Sequence, residues 1–220
     1  STLFLNSMYS ILCLRNPIVV LLLFLIISLG AEEKLEVNYK ERVLLEDFES
    51  KIFNSDSFQI QANTDYLPDV RMSKNLTSPD LISNTSLFVR IPTSGSGIPI
   101  DLIFSKPYRI EDYLIEIEFH IYSNQANGDL FLYLQDSKFQ KHKILITSLN
   151  YNGWKSFKVP IGNKVFQSDY IIGKASSIKL TGIQFNVAKK ETKDKEDFIA
   201  IDDIFIVKRS KYRFSEIGLD

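Results

Sequence analysis

The residues with the greatest chemical potential are acidic and lie near the two ends of the globular region. Asp202 and Asp203 interrupt residues 198–207, a run that is apolar on both faces. At least one of these carboxylates therefore points toward a dry interior, which costs several kcal/mol unless a partner satisfies it. That partner is either a protein-only network or a calcium ion shared with Asp47 or Glu49, since calcium prefers carboxylate oxygens. Asp47, Glu49 and Asp203 are thus the candidate ligands of a structural calcium ion.

Groups suited to catalysis are scarce in this chain. His120 and His142 are its only histidines and Cys13 is its only cysteine. His120 falls on a predicted strand and His142 directly precedes another, each with a solvent-facing side, so we expect both at the surface. The sequence contains no Gly-rich phosphate loop and no His/Cys cluster with metal-ligand spacing. We therefore predict no enzyme activity, no catalytic residue and no cofactor apart from the possible calcium ion.

Alternation of apolar and polar residues dominates the chain, and this is the period of a half-buried strand. Residues 113–121 place apolar side chains on one face and Glu116, Glu118 and His120 on the other. The turn chemistry of Asn127-Gly128 predicts a hairpin that joins 113–123 to 129–135. Further strands are predicted at 43–48, 58–61, 86–91, 100–104, 143–147, 154–161, 178–187 and 198–207.

Ten short strands joined by turns, without helical crossovers, indicate an all-β fold. We predict an antiparallel β-sandwich of jelly-roll type at 43–208, similar to carbohydrate-binding modules, with a lead-in at 32–42. A hydrophobic fraction of 45% with 16 Phe and 10 Tyr fits one strand-rich core. Residues 65–86 form a long connection, and the mixed charges of 189–197 indicate a solvated loop.

The N-terminal segment has the build of a secretory signal peptide. An apolar run of 12 residues, 18–29, follows Arg15 and ends in small residues up to Ala31. We predict a signal peptide at 1–31, cleaved after Ala31, with an uncleaved anchor as the alternative. The run is shorter than the roughly 18 residues that span a bilayer, so we expect no stable membrane span after its removal.

Basic and aromatic residues alternate in the C-terminal tail, 209–220, which could dock on a partner or simply fray. A net charge of −1 gives no indication of a nucleic-acid partner. Trp154 is either a core residue or a platform for a sugar ring. The candidate partner-contact residues are Tyr151, Lys208, Arg209, Lys211, Tyr212, Arg213 and Phe214.

Several local sequences, in their order and spacing, resemble the spirochaetal periplasmic flagellar filament outer-layer (sheath) proteins, the FlaA family. The matching stretches are LLEDFE at 44–49, GDLFLYLQD at 128–136 and LNYNGW at 149–154 within the block 115–161, TGIQF at 181–185 and IDDI at 201–204. The likeness extends over most of the chain from about Val43 to Lys208.

The resemblance implies a structural subunit of the periplasmic flagellar filament sheath. Such a subunit would coat the flagellin core, assemble with copies of itself or with other sheath proteins, and contribute to filament shape, stiffness and cell motility. The alternative is a secreted carbohydrate-binding module, which needs exposed aromatics among Trp154, Tyr151 and Tyr133 beside polar side chains. A hydrolase on the same sandwich is the third reading.

Overall fold

The computed structural model describes residues 39–49, 55–62, 68–79, 83–93, 97–168, 170–171, 176–189 and 196–213. The predicted signal peptide, residues 32–38 of the lead-in and Phe214 lie outside the described residues. No helix within these described ranges has the length and apolar character that crossing a membrane requires.

Strands make up most of the described chain. They are β1 (Glu41–Glu46), β2 (Phe58–Ala62), β3 (Asp69–Ser73), β4 (Ser86–Ile91), β5 (Ile100–Ile110), β6 (Tyr113–Asn124), β7 (Gly128–Gln135), β8 (Lys141–Ser148), β9 (Asn152–Pro160), β10 (Tyr170–Ile171), β11 (Ile178–Val187), β12 (Asp197–Arg209) and β13 (Tyr212–Arg213). Short 3-10 turns at Ser55–Ser57 and Gly162–Lys164 are the helical elements described.

Two antiparallel sheets form a β-sandwich of jelly-roll type, as the sequence predicts. The six-stranded sheet has the order β3-β4-β12-β6-β9, with β1 also paired to β12. The five-stranded sheet has the order β2-β5-β11-β7-β8. A short parallel pair, β10 with β13, lies outside both sheets.

The core lies between the inner faces of the two sheets. Phe119 and Ile121 of β6 face Leu132 of β7 and Phe185 of β11 in one buried apolar cluster, and all four are fully buried. Because side chains alternate along a strand, the residues between them point away from the core. Each sheet therefore has an outer face whose side chains do not contribute to the core.

The predicted hairpin between 113–123 and 129–135 is wrong, because β6 and β7 belong to different sheets. The connection between them has left-handed backbone at Gln125 (φ 66) and Asn127 (φ 50). Ala126 is buried between these two residues, and its N–H donates to Ser123 Oγ at 3.2 Å. The chain crosses from one sheet to the other here, so the apolar faces of β6 and β7 meet across the core.

Candidate functional site

A groove on the outer face of the five-stranded sheet brings an aromatic residue together with polar side chains. Its volume is about 470 Å³, within the usual range for a small-ligand site. Its lining residues are Gln61, Asp101, Ile103, Phe104, Pro107, Tyr133, Gln135, Lys141, His142, Lys143 and Thr181. We call this feature the outer groove. A second concavity shares Gln61 and Asp101 with it, which extends the surface toward β2.

Tyr133, Asp101 and Gln184 form a hydrogen-bond network at the outer groove. The Tyr133 hydroxyl donates to Asp101 Oδ1 at 2.9 Å, and Gln184 Nε2 donates to Asp101 Oδ1 at 2.6 Å and to the Tyr133 oxygen at 2.7 Å. Burial and the neighbouring Asp101 carboxylate raise the pKa of Tyr133 to about 12. The phenol therefore stays protonated and donates to Asp101 throughout the physiological pH range.

The amide oxygen of Gln184 is an acceptor in this network for which the described part of the chain supplies no donor. Gln184 is 6% exposed, and its amide oxygen Oε1 has no hydrogen-bond partner among the described residues. A buried acceptor without a partner costs about 1–3 kcal/mol, so native proteins contain few of them. Departures of this kind concentrate at functional sites, and Gln184 bonds to Tyr133 and Asp101, two residues that line the outer groove.

Gly182 lies on β11, the strand between Tyr133 and Asp101, at a point where β11 and β5 approach closely. Tyr133 on β7 is paired with Gly182 on β11, and Gly182 in turn is paired with Ile103 on β5. A Cβ at Gly182 would lie 2.5 Å from the carbonyl oxygen of Leu102. The missing side chain therefore lets the backbones of β11 and β5 approach closely beside Tyr133.

Cations and a second aromatic residue flank the outer groove on the β8 side. Lys143 Nζ lies 4.1 Å from the centre of the Phe131 ring, a cation–π contact. His142 is half-buried and its Nε2 is 2.9 Å from Asp136 Oδ2, so the predicted surface position holds only in part. Burial raises the pKa of Asp136, but the hydrogen bonds from His142 and from the amides of Gln140 and Lys138 outweigh it and hold the pKa below its usual value.

The other aromatic candidates lie away from the outer groove. Trp154 is part-exposed on the outer face of the six-stranded sheet, where it packs on Tyr122 with ring centres 5.8 Å apart. The Tyr151 hydroxyl donates to the carbonyl of Ile121, and Lys155 Nζ lies 4.8 Å from the Tyr151 ring. Of the three aromatic residues proposed for sugar stacking, only Tyr133 lines the outer groove.

The acidic pair on β12 is satisfied chiefly by the long connection before β4. Asp202 is fully buried and accepts from the Ser78 N–H at 2.8 Å and from the Ser83 hydroxyl at 3.0 Å. The same segment covers His120, whose Nδ1 is 3.3 Å from Ser78 Oγ. The expected surface position of His120 is thus wrong, since the side chain is only 8% exposed.

The three calcium candidates share an acidic neighbourhood but have different partners. Glu49 accepts from the Thr85 N–H at 2.7 Å and also from the Asn84 N–H, and Asp47 accepts from the Glu49 N–H at 3.0 Å. Asp203 sits at a β-bulge with left-handed backbone (φ 43). Within the described ranges, no three His, Cys, Asp or Glu side chains are grouped so that they could hold a metal ion. The calcium ion stays a prediction that chelator-dependent melting would test.

Replacing Asp203 by Asn is expected to stabilise the protein at neutral pH. Burial and the Asp202 charge raise the pKa of Asp203 to about 6, so the folded state holds this proton more tightly than the unfolded chain does. The contribution of Asp203 to stability is therefore complete below pH 4 and is lost as the pH rises through 6. In chelator-containing buffer, the Tm advantage of Asp203→Asn should be largest above pH 7 and should shrink toward pH 4.

A second variant separates the effect of the Asp203 charge on stability from the effect of its left-handed backbone. Asp203→Ala is equally uncharged, but alanine tolerates a left-handed backbone less well than asparagine does. Asp203→Ala should therefore melt below Asp203→Asn at every pH. A Tm advantage that does not change with pH would contradict the proposed electrostatic origin.

Most candidate contact residues of the C-terminal tail are engaged within the domain. Lys208 pairs with Asp112 at 2.7 Å and with Glu41 at 3.5 Å. The Arg209 guanidinium lies 4.2 Å from the Tyr113 ring and 5.0 Å from the Tyr212 ring.

The residues that follow β12 bond to the segment that precedes β11. Lys211 is only 5% exposed and donates to the Ser176 carbonyl, so it is not an exposed docking residue. Tyr212 and Arg213 pair with β10. The predicted boundary at Lys208 thus lies inside a strand, because β12 continues to Arg209.

No protein-family model matches the sequence, and no curated protein matches it. A solved structure similar to this chain is the family 11 carbohydrate-binding module from Clostridium thermocellum in complex with a β-1,3-1,4-mixed-linked tetrasaccharide. It shares 12% identity at a TM-score of 0.47, over 78% of this chain and 98% of that module.

Two other similar structures have related descriptions. TmCBM61 in complex with β-1,4-galactotriose shares 14% identity at a TM-score of 0.46, over 74% of this chain and 94% of its own. A family 29 carbohydrate-binding module from Piromyces equi shares 11% identity at a TM-score of 0.43, over 82% of this chain and 97% of that module.

Sequence reasoning missed Asp101, Gln61 and Gln184 as site residues. The signal that was present is local: Asp101 and Gln184 are polar residues with an apolar neighbour on each side along the chain. Such positions read as ordinary solvent-facing residues until the pairing of β5, β11 and β7 places them beside Tyr133.

Proposed function

We propose that this protein is a non-catalytic carbohydrate-binding β-sandwich whose ligand lies in the outer groove. The observation that carries the proposal is the Tyr133–Asp101–Gln184 network on the outward face of the sheet. Tyr133 provides an aromatic ring, whose face packs on the C–H surface of a pyranose. Asp101 has acceptor capacity beyond the two hydrogen bonds described, because a carboxylate offers about four lone-pair sites.

The other polar residues of the outer groove suit a ligand rich in hydroxyl groups. Gln61 can donate and accept, and so can the hydroxyl of Thr181. Each sugar hydroxyl is itself a donor and an acceptor, so mixed partners of this kind can satisfy it from both sides. The positions lie on paired strands rather than on loops, which fixes their spacing before a ligand binds.

The proposal is tested by titrating the purified protein with a panel of soluble oligosaccharides in a calorimeter. Asp101→Asn should weaken binding of the best ligand about tenfold, because the charged acceptor is lost. Asp69→Asn makes the same change on the opposite sheet, where Asp69 is exposed on β3, and should leave affinity within twofold. Absence of binding to every member of the panel would overturn the proposal.

The second candidate is the filament sheath subunit, and we propose it for one specific observation. Phe139 is 75% exposed and holds a left-handed backbone (φ 67), a conformation that a bulky residue rarely adopts. Phe166 is 48% exposed, and its segment adjoins the turn that holds Phe139, because the Ser137 N–H donates to the Phe166 carbonyl. Exposed aromatics at the β7–β8 turn fit a protein partner such as the flagellin core or a neighbouring sheath subunit in the periplasm.

Pelleting with isolated flagellar filaments tests this second candidate. Phe139→Asn removes the aromatic ring and suits the left-handed backbone better, so the variant should fold at least as stably as the original chain. If Phe139 contacts the filament, the original chain should pellet and the variant should remain largely in the supernatant. An original chain that stays in solution would count decisively against a sheath role.

A further inference from the structure

A row of cations crosses the outer face of the five-stranded sheet beside the outer groove. Register places Arg109 on β5 opposite Lys179 on β11, then Gln135 on β7 opposite Lys141 on β8. Three of these four neighbouring positions are basic. We call these four residues the cationic row.

The charges of the cationic row are poorly neutralised within the domain. Arg109 has an exposed partner, Glu111 at 3.2 Å. Lys179 and Lys141 make no ion pair with any residue in the part of the chain that the structure describes. Asp136 follows Gln135 directly, but its side chain is fully buried and bonded to His142. The row therefore presents net positive charge to solvent.

This arrangement works against the stability of the sheet. Like charges directly opposite each other on neighbouring strands destabilise the pairing, and Arg109 and Lys179 are such a pair. A bound anion between the strands would turn this repulsion into attraction. We infer that the outer groove binds an acidic glycan, whose carboxylate or sulfate groups lie on the cationic row; this inference rests on the proposed carbohydrate-binding function.

The order of these residues along the sheet determines which end of the glycan lies at the cationic row. Tyr133 lies one outward-facing row from the cationic row, and Asp101 lies one row farther, with successive rows about 7 Å apart. Acidic groups of the glycan are attracted to Lys141 and Lys179 and repelled from Asp101. A neutral, hydroxyl-bearing sugar therefore lies beside Asp101 and Gln61, and an acidic sugar lies at the cationic end. Complementarity of this kind gives specificity as well as affinity.

The test compares oligogalacturonate, a sulfated oligosaccharide and a neutral cello-oligosaccharide by calorimetry at low and at physiological salt. An acidic ligand should bind at least about tenfold more tightly than the neutral one, and the difference should shrink as salt screens the charges. Comparison of the two acidic ligands identifies carboxylate or sulfate as the recognised group.

Charge-matched variants locate the binding. The double variant Lys141→Gln/Lys179→Gln should weaken binding of the acidic ligand at least about fivefold more than it weakens binding of the neutral ligand, which Lys141 also adjoins in the outer groove. Lys74→Gln removes an exposed charge after β3, on the opposite sheet, and should leave both affinities unchanged. Melting curves of all the variants show whether they remain folded.

The possible outcomes separate this inference from the function on which it rests. If neutral glycans bind and acidic ones bind no more tightly, the acidic-glycan inference is overturned and the carbohydrate-binding proposal stands. If no glycan binds, both are overturned. Equal weakening by Lys74→Gln, or equally tight binding of a single-stranded DNA oligomer, would indicate attraction of any polyanion and would also overturn the inference.

Discussion

Tyr133→Ala is expected to weaken glycan binding by about 10- to 100-fold, which corresponds to roughly 1.4–2.7 kcal/mol. The substitution removes the only aromatic ring proposed for sugar stacking that lines the outer groove, and it also leaves Asp101 without its phenol donor. The half-buried Tyr133 lies on the outer face, so its truncation opens no cavity in the core. Calorimetric titration of the best oligosaccharide measures the loss.

Two further variants make this result specific to the ring. Trp154→Ala truncates a part-exposed aromatic residue on the opposite sheet and should leave affinity within twofold. Tyr133→Phe keeps the ring and removes the hydroxyl, so its affinity should fall between those of the original chain and Tyr133→Ala. If Trp154→Ala abolishes binding and Tyr133→Ala does not, the ligand lies on the six-stranded sheet and the proposed site is wrong.

Phe119→Ala is expected to cost about 3–5 kcal/mol of the free energy of unfolding. Phe119 on β6 is fully buried, and it is paired with Ile204 on β12 and Phe157 on β9. Truncation leaves a cavity that surrounding strands, fixed by their hydrogen bonds, fill only in part. Because domains of this kind are stable by about 5–15 kcal/mol, the loss is a large fraction of the total. Urea unfolding measures it as a lower midpoint.

Phe139→Ala is the matched control for Phe119→Ala. It makes the same chemical change at a side chain that is 75% exposed, so it should alter the free energy of unfolding by no more than about 0.5 kcal/mol. A loss at Phe139 equal to that at Phe119 would contradict the assignment of the core to the space between the sheets.

Strand positions could be predicted because alternation is a local property. The predicted bounds of 86–91 and 178–187 match those of the structure, since apolar residues recur at every second position along most of each strand; in β11 this alternation changes phase at Gly182, where the register with β5 and β7 also shifts. β3 (Asp69–Ser73) has too few apolar residues to stand out from the long connection around it. The structure adds it because it pairs with β4.

For the buried Asp202, the local sequence predicts the need for a partner but not which residue is that partner. The apolar surroundings of Asp202 predicted correctly that it needs a partner, because desolvation makes an unpaired carboxylate costly. Which partner it has was not predictable, since the Ser78 and Ser83 donors are more than a hundred residues away along the chain. Only the folding of that segment over the outer face of β12 brings them together.

The sequence by itself determined the all-β class, most of the strands and the need to satisfy Asp202, because each depends on the polarity of neighbouring residues. Only the tertiary structure decided that β6 and β7 lie in different sheets, and that Tyr133 and Asp101 share one outer groove, where Gln184 bonds to both. The physical reason is register: strand pairing joins residues far apart along the chain, and alternation within one strand says nothing about which strand lies beside it.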